Sequence, residues 1–448
     1  MKLIVRSLTI AGLMLQAVLA SAQNPLITNQ FTADPSARVF NGKVYVYPSH
    51  DIKATPGHGR AGWFVMEDYH VFSSDNLTDW TDHGMIVSQT LVPWADPASY
   101  SMWAPDCIAR NGKYYFYFPT TTKPDAPGGR GHFAVGVATS NTPVGPFKPE
   151  AEPIKGVVGI DPNVFINDDG QAYLYWSQGN IYAAKLKPNM LEIEGEVKTL
   201  GDLPVKGLKE GPYMYKHNGT YYLTYPHVEN KTERLEYATS KSPLGPFKVT
   251  GVIMDENPTG CWTNHHSIIE FKGQHYLFYH SNDLSPSFDK NRSIHADSLF
   301  FNTDGTIKKV VPTLRGVGIT KAGSKIQIDR FSDKGEDATV AFIDTAKKFD
   351  GWKSTVPVSA KGWIRYNRVD FGKSGTQRVT AKAWSAGAGE LEIRTGSPTG
   401  PVIATIKVPA GKEWSDYSAP VKNKTSGIND LYFTAKGSTV EVDWVSFK

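Results

Sequence analysis

Apolar and polar positions alternate along most of the chain, and turn pairs ending in glycine reset the alternation. Asn41-Gly42 precedes VYVY, Asn111-Gly112 precedes YYFYF, Asp169-Gly170 precedes AYLYW, Asn218-Gly219 precedes YYLTY, and Lys272-Gly273 precedes HYLFYH. Asn-Gly and Asp-Gly favour tight hairpins, because both central positions of a type I′ turn need φ > 0. The glycines lie 70, 58, 49 and 54 residues apart. That spacing is too long for one hairpin and suits a four-stranded propeller blade with its loops. A second echo, Gly-Pro-Phe-Lys at 145–148 and again at 245–248, supports internal repetition. Five repeats predict a five-bladed β-propeller over residues 23–315. Residues 316–325 (GVGITKAGSK) read as a linker rich in Gly and small residues. The stretch 326–448 alternates again, as in VTAKAW, LEIRTG and ATIKVP, and predicts a separate β-sandwich of jelly-roll type. The fold class is all-β.

Composition sharpens this picture. Aromatic residues make up 12% of the chain, with 41 Gly and 29 Pro, as short aromatic strands between turns require. Two cysteines, Cys107 and Cys261, are too few for a disulfide framework, and they are expected not to pair. Lys2 and Arg6, the apolar run Leu8–Leu19 and Ala20-Ser21-Ala22 have the layout of a signal peptide cleaved before Gln23. The protein is therefore expected to be exported, to the periplasm or beyond, as a monomer without a membrane anchor. Loss of Lys2 and Arg6 lowers the formal charge from +4 to +2. So small a charge argues against nucleic acid as a partner, which calls for a basic patch.

An ionisable residue precedes each repeat glycine by six to nine positions: Asp34, Asp106, Asp161, Glu210 and His265. Innermost propeller strands surround the axis, so these positions converge on a ring of three or four carboxylates and a histidine. Singly, an Asp before Pro is most simply a turn former; five at one repeat phase are not so easily dismissed. Crowded carboxylates drive their pKa values apart, so one can stay protonated as an acid while another stays ionised as a base. Glycoside hydrolysis needs that division. The same oxygens also suit Ca²⁺.

At these residues the chain resembles glycoside hydrolase family 43, the five-bladed propeller enzymes that include β-xylosidases and α-L-arabinofuranosidases. The matching pieces are Ala33-Asp34-Pro35 with NGKVYVYPSHD, Trp103-Ala104-Pro105-Asp106, Ile160-Asp161-Pro162, Glu210-Gly211-Pro212, and His265-His266-Ser267 with IIEFKGQHYLFYH. The resemblance implies an inverting, exo-acting hydrolase that releases β-D-xylose or α-L-arabinofuranose from plant-wall xylan or arabinoxylan fragments. It makes Asp34 the general base, Glu210 the general acid and Asp161 the carboxylate that tunes the acid. His265, rather than His266, matches the axial histidine linked to an ion or water. Arg292 matches a sugar-contacting arginine, with a surface salt bridge as the plain alternative. Trp103 can stack on the sugar face. The segment 52–66 can wall off one side of the site, favouring a pocket over a groove. No cofactor is implied for the chemistry.

The C-terminal stretch resembles a family 6 carbohydrate-binding module through IQIDRFSD at 326–333, Gly362-Trp363-Ile364, Trp414 and the final VDWVSFK. By that resemblance Gln327, Asp329 and Asp443 fall at a structural Ca²⁺ site, and Trp363 and Trp414 sandwich a sugar ring; Trp444 reads as core. Glu441 stands where sugar-binding members often carry Asn. Two other classes compete with the hydrolase. A non-catalytic sugar-binding propeller explains the aromatics but not separate acidic positions. A metal-dependent oxidoreductase lacks a G-x-G-x-x-G fingerprint.

Overall fold

The computed structural model describes residues 24–124, 131–204, 206–342, 352–422 and 425–448; the expected signal peptide lies outside them. Twenty strands make five four-stranded antiparallel sheets, each contiguous in sequence. Blade 1 is β1 (Phe31–Phe40), β2 (Lys43–Asp51), β3 (Asp68–Ser74) and β4 (Thr81–Ser88). Blade 2 is β5 (Asp106–Arg110), β6 (Lys113–Thr121), β7 (Phe133–Ser140) and β8 (Lys148–Pro149). Blade 3 is β9 (Ile160–Ile166), β10 (Ala172–Ser177), β11 (Ile181–Leu186) and β12 (Ile193–Thr199). Blade 4 is β13 (Tyr213–His217), β14 (Thr220–Val228), β15 (Glu233–Ser240) and β16 (Lys248–Met254). Blade 5 is β17 (Ser267–Phe271), β18 (Gln274–Ser281), β19 (Ser293–Phe301) and β20 (Ile307–Lys308). The first strands touch in cyclic order, β1 meeting both β5 and β17. The sheets thus close into a five-bladed propeller.

Four of the five repeat turns are two-residue hairpins. The pairs Phe40↔Lys43, Arg110↔Lys113, His217↔Thr220 and Phe271↔Gln274 close on them, and Asn41, Asn111, Asn218 and Lys272 have φ of 51°, 52°, 47° and 52°. The fifth differs: Ile166 pairs with Ala172, so Asp169-Gly170 sits in a longer loop. There Asp169 Oδ1 accepts the Gln171 N–H at 3.0 Å.

Aromatic strands follow from how a propeller packs. It has no single core; each blade buries both faces against its neighbours. Side chains alternate between faces along a strand, so Phe116 packs toward blade 1 with Tyr47 and Tyr69 while Tyr117 packs toward blade 3 with Val164 and Trp176. Tyr175 and Leu223 fill the next interface, Tyr237 and Leu277 the one after, and Phe72, Phe278 and Ile294 the seam between blades 5 and 1.

That seam shares no strand. It is held by the Thr32 N–H on Arg292 C=O and the Leu26 N–H on Ile294 C=O, both 2.9 Å. Ser267 Oγ donates to Pro35 C=O at 2.6 Å and accepts the Ala37 N–H at 2.9 Å. Asn24 adds a staple: its side chain bonds both Ala296 backbone groups and Thr313 C=O.

The second unit packs two six-stranded sheets around one apolar cluster that includes Ile364, Tyr366, Leu391, Phe433 and Val445. Thr320–Lys321, within 316–325, already pairs in parallel with Val369–Asp370 of this sandwich. Arg330 Nη1 donates to Asn24 C=O at 2.8 Å, and Arg315 Nη2 to Asn367 C=O at 3.0 Å, tying the units together. Cys107 and Cys261 are buried and unpaired.

Candidate active site

Two β-bulges aim carboxylates at the propeller axis. The β1–β2 register shifts between Ala33 and Ser36, around Asp34, and the β9–β10 register shifts beside Asp161. Both residues have positive φ, 46° and 57°, a region that Asp and Asn enter more readily than other side chains. A bulge of this kind re-aims the side chain. A serine on the next strand meets each: Ser49 Oγ donates to Asp34 Oδ2 at 2.7 Å and Ser177 Oγ to Asp161 Oδ2 at 3.2 Å. Glu210 enters just before β13. Its neighbour Gly211 has φ 52° and donates its N–H to Asp161 Oδ2 at 2.9 Å. A Cβ at 211 would come within 3.0 Å of the Pro226 ring, so the glycine lets the strand approach.

Asp34, Asp161 and Glu210 meet in one cavity of about 180 Å³, together with Glu233, His265 and Arg292. Trp63, Phe64, Met66, Trp103 and Trp262 form its apolar wall. The segment 52–66 therefore does supply part of that wall, and Trp63 and Trp262 remain exposed at the rim. Trp103 lies against Phe133, ring centroids 4.6 Å apart, with its indole N–H buried and unbonded.

Asp106 is a correction. It occupies the repeat phase, but β5 pairs with β6 without a register shift, so nothing lifts the carboxylate toward the pocket. It stays inside the ring, bonded to Ser36 Oγ, Arg38 Nε, Asn163 Nδ2 and the Val164 N–H at 2.6–3.0 Å. Arg292 is no surface salt bridge either. It is 3% exposed and grips Asp34 Oδ1 at 2.8 Å and Asp51 Oδ2 at 2.9 Å. Of the two histidines, His265 faces the cavity, with Nδ1 3.9 Å from Asp34 Oδ1. His266 is buried behind it on Thr224 Oγ1 at 2.6 Å.

Residues 22–307 match the glycosyl hydrolases family 43 model, and residues 334–448 match the carbohydrate binding module family 6 model. The chain belongs to glycosyl hydrolase family 43. It is 39% identical to a xylosidase/arabinosidase 43A of Humicola insolens, over 63% of this chain and 98% of that protein. An arabinoxylan arabinofuranohydrolase of Bacillus subtilis is 29% identical over 93% of this chain and 89% of its own. Among solved structures, a β-xylosidase/α-arabinofuranosidase from a compost metagenome, bound to xylotriose in a calcium-free form, is 40% identical with a TM-score of 0.57; the match covers 65% of this chain and 98% of that one.

The family 43 pocket sets its carboxyl groups apart electrostatically. Burial alone would raise Asp34, but Arg292, His280, His265 and the Ser49 hydroxyl outweigh it and hold its pKa at about 2. His280 stays neutral, pushed down to about 3 by burial and by Arg292. Its Nδ1 accepts the Asp34 N–H at 3.1 Å, which leaves the proton on Nε2, directed at Thr263 C=O, 3.0 Å away. Burial pushes Asp161 and Glu210 the other way, and each is raised further by neighbouring carboxylates. One member of the set is thus ionised and two are held toward the protonated form.

Glu233 escaped the sequence reading. It stands outside the repeat phase, at the start of a third strand, and is 1% exposed. Its Oε2 accepts the Asn264 N–H at 2.6 Å. Burial and Glu210 raise its pKa well above the ordinary value, so it is neutral and its hydrogen bond to Glu210 lowers that residue's pKa. Glu233→Leu should therefore move the alkaline limb of kcat/KM to higher pH, while Glu233→Gln, which still donates, should stay near the wild-type profile. Coincident pH profiles for wild type and the Leu variant would remove Glu233 from the acid's control.

In the second unit, Trp363 begins strand Trp363–Asp370 and packs near Tyr432, 5.7 Å between centroids. Trp414 precedes strand Ser415–Pro420 of the opposite sheet. Glu441 is paired with Lys353. Gln327, Asp329 and Asp443 gather where the Ile328 N–H bonds Asp443 C=O at 2.9 Å. Arg330 Nε lies 3.2 Å from Asp329 Oδ2.

Proposed function

We propose that this chain is an exo-acting, inverting glycosidase that releases β-D-xylose, α-L-arabinofuranose or both from xylan or arabinoxylan fragments. The observation that carries it is the meeting of Asp34, Asp161 and Glu210 in one small cavity, where Arg292 grips Asp34 and burial pushes Glu210 toward its protonated form. Asp34, ionised and fixed by Arg292 and Ser49, takes a proton from water as that water attacks the anomeric carbon. Glu210, protonated, delivers its proton to the leaving oxygen. Asp161, bonded to the Gly211 N–H, holds the acid's strand in place, while burial and the Asp34 carboxylate keep the acid's pKa up. Single displacement needs ~6.5–9.5 Å between acid and base, against ~5–5.5 Å for a covalent route. The reaction needs no cofactor.

The small cavity, walled by Trp63 and Phe64, supports removal of one terminal sugar, with Trp103 lining it as a stacking surface for the sugar ring. An ion or water at the axis would be held by His265. Gln327, Asp329 and Asp443 offer the buried oxygens that Ca²⁺ takes, and there it would brace the sandwich. Trp363 and Trp414 are the candidate sugar contacts of that module. Export rests on the signal-peptide layout of Lys2, Arg6, the apolar run Leu8–Leu19 and Ala20-Ser21-Ala22.

Incubation with aryl β-D-xylopyranosides, aryl α-L-arabinofuranosides and arabinoxylan, with NMR of the first-formed sugar, tests the reading. Pentose of inverted anomeric configuration is expected. Pentose with retained configuration would make Asp34 a nucleophile, and no pentose from any substrate would leave a sugar-binding propeller.

A further inference from the structure

Among the described residues of the propeller, one trio of His and Asp side chains with metal-ligand spacing stands outside the pocket: His50, Asp68 and His70 in blade 1. Pairing of Ser49 with Tyr69 sets Asp68 across from His50. Asp68 and His70 lie two apart on β3 and so share that face. All three are half-buried. His50 Nδ1 is 2.7 Å from Asp68 Oδ1, and the two imidazole centroids are 5.1 Å apart. One ligand atom from each residue lies within 4.8 Å of the others.

Behind His70, Asp82 Oδ1 sits 3.1 Å from Nδ1, and Gln30 Nε2 holds Asp82 Oδ2 at 2.8 Å. A carboxylate on one ring nitrogen keeps the proton there and leaves the other nitrogen as a lone-pair donor, as metal-bound histidines require. Two imidazoles and a carboxylate suit Zn²⁺ and its borderline neighbours, whereas Ca²⁺ asks for oxygen alone.

The geometry points to a binding site for one Zn²⁺-like cation on His50, Asp68 and His70, with water as fourth ligand, clasping the base of the pocket wall. Tetrahedral ligands on a Zn²⁺ sit about 3.3 Å apart, so rotamer shifts of the side chains close the set. His50 is next to last in β2 and Asp68 is first in β3. A cation would join the two feet of the excursion that carries Trp63, Phe64 and Met66 to the cavity. His50 also stands between Ser49, which bonds Asp34, and Asp51, which bonds Arg292.

The test titrates ZnCl₂ into the untagged, full exported chain after EDTA treatment and desalting, by calorimetry and thermal unfolding at neutral pH. One equivalent should bind and raise the unfolding temperature. His70→Ala should abolish both effects, and Asp82→Asn, a milder change, should weaken binding about 10–100-fold. His265→Gln should leave binding in place, which separates the clasp from the axial position. No stoichiometric binding, binding undiminished in both His70→Ala and Asp82→Asn, binding lost in His265→Gln, or binding without a thermal shift would each overturn the proposal.

Discussion

Asp34→Asn should cut turnover by about 10²–10⁴-fold, the usual loss for a positioned general base, while leaving unfolding temperature and sugar affinity close to wild type. The substitution is chosen by backbone as well as charge. At φ 46° Asn is tolerated, whereas Ala would add strain and confuse a chemical loss with a structural one. Arg292 keeps Asp51 as a charged partner, so the buried guanidinium is not stranded. Activity within a few-fold of wild type, on a protein shown to be folded, would remove Asp34 from the mechanism. The low pKa of Asp34 also fixes a pH window. Its ionised form is favoured in the fold, so that stabilisation is present above the ordinary carboxylate pKa and fades as pH falls toward about 2.

Glu210→Ala should separate substrates by their leaving groups. Xylobiose, whose departing alkoxide needs a proton, should lose about 10²–10⁴-fold. A dinitrophenyl pentoside needs little protonation and should lose far less. The pH profile should change with it. A raised acid works only while protonated, so the wild-type rate falls as pH rises through its pKa, and the variant should lack that alkaline limb. Equal losses on both substrates would show that Glu210 is not the acid.

The ring was legible because its signals are local: four Asn-Gly or Lys-Gly hairpins, and aromatic strands whose two faces serve two blade interfaces. Asp34, Asp161, Glu210 and His265 were legible because one repeat phase maps onto one axis. Asp106 shows where that logic stops. Phase gives the strand position, but a bulge decides whether the side chain reaches the cavity, and a bulge leaves little trace in sequence. Glu233, Asp51, Ser49 and His280 were missed for a related reason: they come from second and third strands, where the upstream count from each glycine does not reach. Ser49 and Ser177 do share a signal, each standing near the end of a second strand opposite its aspartate.

The seam between the first and last blades carries more than closure. Asp34 belongs to blade 1, yet Arg292 and His280, which keep it ionised and oriented, arrive with blade 5. The proton acceptor is thus assembled across the one junction of the ring that chain connectivity does not enforce. A molecule whose ends have parted by a few ångströms would keep its strands, its aromatic packing and its spectroscopic signature of β structure, and would still have lost the charge partner that makes its base a base. Turnover in this enzyme is therefore a gauge of whether the circle is shut.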